Sequence, residues 1–297
     1  MRNGEHTQAA RRIFVLVPLR HTLASASCVA SWLTALAVAA PAAGIVVRHD
    51  TESEAFERLA GEVAGPLVWI RYDDGTGIAV AEGTLIAPSW VLTAAHAVEA
   101  MRPGATVVYG GEPCEVAAVY LHPGWTGKFE ELHDLALLEL RTPVAAPAPA
   151  RLDRGALEAG DEIVVVGRGM SGTGRTGPVE DDGRLRAATN RLTEVGEKHL
   201  AFVFDAPGQP DAMPLEGISG PGDSGGPALR RVGGELVVVG VSSAQDDAPT
   251  AGAEGRYGVV EYYGRVSAFV GWIDGIVAAS AARPPATARS PASPAAP

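Results

Sequence analysis

Cysteine is almost missing from this chain of 297 residues, which contains two. Cys28 falls in an apolar leader and Cys114 stands alone beyond it, so a chain that has lost the leader has no partner for an intramolecular disulfide. An exported protein without disulfides depends on burial of a core, and 46% apolar residues over this length permit one. Cys114, between Pro113 and Glu115, reads as a small buried hydrophobe, not as a reactive thiol. Positive charge is also scarce. Lysine and arginine total 24 against 35 acidic residues, a net charge of -11. Arg2, Arg11, Arg12 and Arg20, against Glu5 alone, all lie in the first 43 residues, so the remainder is more acidic still. Without a basic surface, a nucleic-acid partner is excluded. Metal-ligand spacing is lacking around His49, His122, His133 and His199. The acidic runs Glu180-Asp181-Asp182 and Asp246-Asp247 lack the pattern of a calcium loop; they read as solvated, with a structural calcium left open. No catalytic metal and no cofactor is expected.

What the chain does have begins with that leader. A basic start, the apolar run Thr22 to Ala40 and the small residues Pro41-Ala42-Ala43 make residues 1–43 a signal peptide with cleavage options after Ala39 or Ala42. The alternative is a retained membrane anchor, since the run approaches spanning length. Secretion or a periplasmic location is the expectation, with no stable membrane insertion after signal removal. From Leu67 onward, short apolar segments alternate with turn residues. Strands are predicted at Leu67 to Tyr72, Gly77 to Glu82, Thr84 to Ile86, Trp90 to Thr93, Ala105 to Tyr109, Glu115 to Leu121 and Leu135 to Leu140. A second set follows at Glu162 to Gly167, Arg184 to Leu192, Leu200 to Asp205, Ala228 to Arg231, Glu235 to Ser243 and Arg256 to Val266. This spacing predicts an all-β antiparallel sandwich or barrel, not alternating strand and helix units. The spacing of Val266, Phe269, Val270, Ile273, Ile276 and Val277 predicts the one strong helix, with Ser267 available as a cap. Residues 283–297, mostly Pro, Ala and Ser, read as a disordered tail.

Three short stretches carry chemistry. Gly222-Asp223-Ser224-Gly225-Gly226-Pro227 folds tightly around a hydroxyl, so that Ser224 Oγ faces a substrate while the N–H groups of Gly222 and Ser224 are free for an oxyanion. A serine needs a base, and Thr93-Ala94-Ala95-His96 sets an imidazole at the end of an apolar strand. Asp134-Leu135-Ala136-Leu137-Leu138 puts a carboxylate at the head of another, where burial demands a partner. A fourth stretch, Gly167-Arg168-Gly169-Met170-Ser171-Gly172, matches the dinucleotide-binding pattern after a strand. That fingerprint requires a helix next, and Thr173-Gly174-Arg175-Thr176-Gly177-Pro178 does not start one readily.

In this order and form, the His96, Asp134 and Ser224 stretches resemble the chymotrypsin-like, or trypsin-family, serine proteases, over roughly Ile45 to Ile276. The resemblance implies two six-stranded antiparallel β-barrels, about 45–145 and 155–265, with the active site between them and a terminal helix at about 266–281, within a protease domain at 44–276. It implies His96, Asp134 and Ser224 as the triad, and Gly222 and Ser224 as the oxyanion hole. Ser243, with Ser242 as an alternative, matches the family serine bonded to the triad aspartate. Ile218 corresponds to the base of the primary specificity pocket. Glu261 either enters that pocket from an adjacent strand or faces solvent. Ile45-Val46 matches the N-terminus whose ammonium pairs with Asp223, although Gly44 precedes it and no basic residue offers a cut. Ala81, Ala97 and Gly220 stand where the family usually has cysteines. The expectation is a monomeric serine endopeptidase acting on proteins or peptides after small or medium uncharged residues. The alternative is a catalytically silent peptide-binding protein of the same fold.

Overall fold

The computed structural model describes residues 44–145 and 149–282. The expected signal peptide and Pro/Ala tail lie outside the described residues.

The chain starts with β1 (Val46–Val47), α1 (Ser53–Val63), β2 (Leu67–Asp73), β3 (Ile78–Ala87) and β4 (Trp90–Thr93). A single helical turn, α2 (Ala95–Val98), leads on to β5 (Thr106–Tyr109), β6 (Glu112–Leu121) and β7 (Ala136–Leu140). Strands β2 to β7 close into a six-stranded antiparallel barrel in the order β2-β3-β4-β7-β6-β5. Its seam is the β2–β5 pairing, with Trp69 opposite Val108. Strands predicted at Gly77 to Glu82 and Thr84 to Ile86 are one strand, β3. Gly83 does not interrupt it but allows close approach, because a Cβ there would meet Val91 Cγ1 at 2.6 Å.

The second half contributes β8 (Arg151–Leu152), β9 (Glu162–Gly167), β10 (Ser171–Thr173), β11 (Gly177–Glu180), β12 (Arg186–Arg191), β13 (Glu194–Val195) and β14 (His199–Val203). It continues through β15 (Gly217–Ile218), β16 (Pro227–Val232), β17 (Glu235–Asp246) and β18 (Val260–Arg265) to α3 (Val266–Ala281). The main sheet runs β12-β9-β16-β17-β18-β14-β13, with β8 beside β17. A second closed six-stranded barrel is the expectation; among the described residues the sheet is an open half-barrel. Between β12 and β14 the ladder is replaced by a side chain, since Asn190 Nδ2 donates to Val203 O at 3.1 Å and to Gly217 O at 3.2 Å. A small sheet, β11-β10-β1-β15, lies alongside, with Val46 opposite Ile218. Strand β9 runs into β10, not into a helix, so the dinucleotide pattern has no helix N-terminus to hold a pyrophosphate.

Two helices depart from expectation. α1 was not among the predicted elements, yet Phe56, Ala60 and Val63 recur at helical spacing and are buried, which is the signal that reveals it. α3 forms as predicted and buries Val266, Phe269 and Ile273, but Ser267 does not cap it. Its hydroxyl instead accepts from Arg265 Nε at 2.9 Å. Among the described residues no helix is long and apolar enough to cross a membrane.

One apolar cluster fills the closed barrel and continues into α3 through Val241, Val266, Phe269 and Ile273. A second, around Ile45, Val46, Phe56, Phe202, Phe204 and Ile218, supports the open sheet. Cys114 is a half-buried free thiol raised in pKa by burial.

Candidate active site

β4 ends at Thr93, and the single turn of α2 places His96 directly beyond it, half-buried. Asp134 precedes β7, the barrel neighbour of β4, so the pairing of Thr93 with Ala136 brings the two residues together. Asp134 is 2% exposed and its carboxylate is fully engaged. Oδ1 accepts the His96 backbone N–H at 2.8 Å, while Oδ2 lies 2.7 Å from His96 Nδ1 and accepts Ser243 Oγ–H at 2.6 Å. A carboxylate held this way presents its charge to one nitrogen of the imidazole and leaves Nε2 as the proton acceptor. Phe129 packs edge-on to the imidazole at 5.2 Å between ring centroids.

Ser224 reaches the same place by backbone. Its carbonyl accepts the Glu82 N–H at 2.8 Å, and Thr93 Oγ1 donates to Glu82 O at 2.6 Å. Gly225, at φ +80°, sits so tightly against β4 that a Cβ would lie 2.2 Å from Thr93 Oγ1 and 2.9 Å from Ala94 N. No hydrogen bond joins Ser224 Oγ to His96 in this structure; such contacts are often loose before substrate binds. Around the serine, three backbone N–H groups are spent internally: Asp223 on Gly220 O, Gly225 on Ser242 O and Gly226 on Asp223 O. Those of Gly222 and Ser224 have no internal acceptor among the described residues. Gly222 takes φ +100°, a conformation unfavourable to a side chain.

Behind the serine lies Asp223, 1% exposed. Its Oδ2 accepts the N–H of Ile45 at 3.1 Å and of Gly220 at 2.8 Å, and its Oδ1 accepts that of Gly169. Burial raises its pKa to about 6 against the pull of these donors. Gly167 and Gly169, the glycines of the misleading dinucleotide pattern, leave room for this carboxylate: a Cβ on Gly167 would lie 2.2 Å from Asp223 Oδ1.

Ile218 is buried in β15 within the second apolar cluster. Glu261 faces inward from β18 and has no solvent exposure. Oε2 accepts the Ser219 N–H at 2.9 Å, and Oε1 accepts the hydroxyls of Ser219 and, at 3.3 Å, of Ser242. Ser242 therefore belongs to Glu261, and Ser243 is the serine on Asp134. Burial raises the Glu261 pKa to about 8, which keeps the carboxyl neutral at pH 7. Gln245 lies opposite it across the β17–β18 ladder. Its amide spans from Ser219 O, at 2.7 Å, to the Gly255 N–H, at 3.3 Å.

Ser219, Gln245 and Glu82 were not singled out in the sequence. Gln245 was legible only once its register against Glu261 was known. Glu82 had a cue, the one charged residue inside the run Ile78 to Ala87. Among the described residues no group of His, Cys, Asp and Glu could hold a metal ion.

A closed barrel and an open β-sheet, followed by a helix, hold the histidine and the aspartate in one hydrogen-bonded pair and pack the serine turn against the end of β4. A family model described as Trypsin matches residues 69–273, and the chain belongs to the trypsin family of serine proteases.

Proposed function

We propose that this protein is an active serine endopeptidase that cleaves peptide bonds through an acyl-enzyme on Ser224. The observation that carries the reading is the His96–Asp134–Ser243 network, whose histidine lies three residues beyond the strand end against which the Ser224 turn is packed. Ser224 Oγ attacks the scissile carbonyl as His96 Nε2 takes its proton, and the same proton passes to the leaving amine. Asp134 fixes the imidazole tautomer and stabilises the imidazolium. The free N–H groups of Gly222 and Ser224 receive the oxyanion; in such a site each donor is worth roughly 3 kcal/mol to the transition state. Water then repeats the sequence on the acyl-enzyme and frees Ser224.

For specificity, Ile218, Ser243 and Glu261 are the pocket residues of the proposal, joined by Ser219 and Gln245. Glu261 is neutral at pH 7 and lies opposite Gln245 across the β17–β18 ladder, with both side chains bonded to Ser219. A guanidinium entering there would meet an uncharged group, so cleavage after small or medium uncharged residues is the reading. Asp223 receives the amine of Ile45 when the Gly44–Ile45 bond is cut, as in the family, and so orders the oxyanion turn. The enzyme acts as an exported monomer on proteins or peptides, with its leader removed. Incubation of the processed chain with a mixed peptide library, and mass spectrometry of the products, tests this. Cleavage after Ala, Val, Ser or Thr is expected. Peptides that bind and are recovered intact would favour the silent, peptide-binding alternative.

A further inference from the structure

The serine turn rests on a second buried carboxyl group besides Asp223. Glu82, on β3, has no solvent exposure. Its Oε1 accepts the Arg168 N–H at 2.6 Å, while Oε2 is buried with no partner at all. That unpaired oxygen and Asp223 Oδ1 flank the same position beside Gly167. The position of a Cβ on Gly167 lies 2.7 Å from Glu82 Oε2 and 2.2 Å from Asp223 Oδ1, so only a glycine leaves space for both carboxyl groups. A Cβ on Gly226 would likewise lie 2.9 Å from Glu82 Oε2. Two carboxyl groups this close in a dry site do not both stay charged without a cation. Burial, and next the charge of Asp223, push Glu82 well above the ordinary carboxylate range. The other charged or titratable groups bearing on this pair are Arg168, Glu261 and Tyr263.

A cation has a natural source beside them. Ile45 N is 3.1 Å from Asp223 Oδ2, on the far oxygen from Gly169. In the uncut chain this nitrogen offers one N–H, and Ile45 holds it there at φ +62°, a strained conformation for a β-branched residue. Gly44 is packed so closely that a Cβ would lie 2.0 Å from the Gly167 carbonyl carbon. Hydrolysis of the Gly44–Ile45 bond removes the φ constraint and turns one N–H donor into an ammonium with three.

We propose that Glu82 is a positioning residue that, together with Asp223, receives the freed ammonium of Ile45, so that the new N-terminus is held between two carboxyl groups. The proposal deepens the reading of Ile45 and Asp223 given above and rests on it. Before the cut, the unpaired Glu82 oxygen opposes Asp223; after it, the ammonium supplies both with a partner. The same substitution at Glu82 therefore has opposite consequences in the two forms.

The test is a four-way comparison: the chain carrying a removable N-terminal extension ahead of Ile45, before and after its removal, with Glu82 or with Glu82→Gln. Gln keeps the volume and the acceptor for Arg168 but not the charge. In the cut form Glu82→Gln is expected to lower the Tm at pH 7 by about 3 °C. In the uncut form it leaves the Tm unchanged or raises it. The alkaline limb of kcat/KM for the cut enzyme is expected to move down by about one pH unit, a tenfold change in the amine's acid dissociation. If Glu82→Gln does not fold, NMR titration of the wild-type Ile45 amine decides instead: a pKa more than one unit above an ordinary α-amine supports the proposal, and an ordinary value overturns it. Equal Tm changes in cut and uncut chains would also overturn it and leave Glu82 a buried structural acid. The Tm comparison needs no hydrolysis, so opposite Tm effects in a chain without activity would support the pocket and sink the protease reading, whereas activity without that coupling would do the reverse.

Discussion

Replacing Glu261 by Gln is expected to make the protein more stable at alkaline pH and to flatten its pH dependence. The carboxyl is fully buried, and burial is the main cause that raises its pKa from 4.5 to about 8. A group with a raised folded-state pKa binds its proton more tightly in the folded chain than in the unfolded one. Its stabilising contribution is therefore complete below pH 4.5 and is lost as pH rises to about 8. Between pH 5 and pH 8 that loss comes to about 4 kcal/mol, at about 1.4 kcal/mol per unit. Gln fits the same space, still accepts the Ser219 N–H, lets the Ser219 hydroxyl turn to accept from its amide, and does not titrate. Glu82, Asp223 and Glu216, also raised by burial, are common to both proteins and drop out of the difference. Urea unfolding of wild type and Glu261→Gln at half-unit steps gives the two curves. They should separate in favour of the variant from pH 5 upward and run parallel above pH 8. A difference that stays constant over the whole range would refute the argument and mean that Glu261 is not buried as a neutral acid.

Ser224→Ala and His96→Ala should each lower hydrolysis by about 10⁴ to 10⁶ while leaving the circular dichroism spectrum unchanged, because members of a triad act as a unit. Gly225→Ala should cost about 3 kcal/mol in urea unfolding, since φ +80° and a contact of 2.2 Å with Thr93 Oγ1 both oppose a methyl group. Dithiothreitol should change neither the Tm nor the activity of the processed chain, in which Cys114 is the one remaining cysteine. A fall in Tm under reduction would mean that Cys114 links two chains.

Short apolar runs bounded by turn residues made the strands of the closed barrel legible, and β4 and β7 are buried almost throughout. Six strands of the second sheet were legible, but not the two-residue β8 and β13, nor the open edge where Asn190 reaches across from β12 to Val203. α1 was overlooked because its apolar positions, Phe56, Ala60 and Val63, are sparse among charged residues. At the site, the serine turn, the histidine and the aspartate stood out because each breaks the surrounding pattern in a way that needs a reason. Glu82 and Gln245 did not. Their roles depend on partners far along the chain, Asp223 and Ser219, and no local pattern encodes such a contact.

The measurement that bears most directly on the central claim is capture of the acyl-enzyme. The processed chain is mixed with an aryl ester, quenched in acid within one turnover, and analysed by intact mass and peptide mapping. One acyl group per chain is expected, carried by Ser224, released on return to neutral pH, and missing from Ser224→Ala and His96→Ala. An acyl group on any other residue, or substrate hydrolysed at the same rate by Ser224→Ala, would contradict the account.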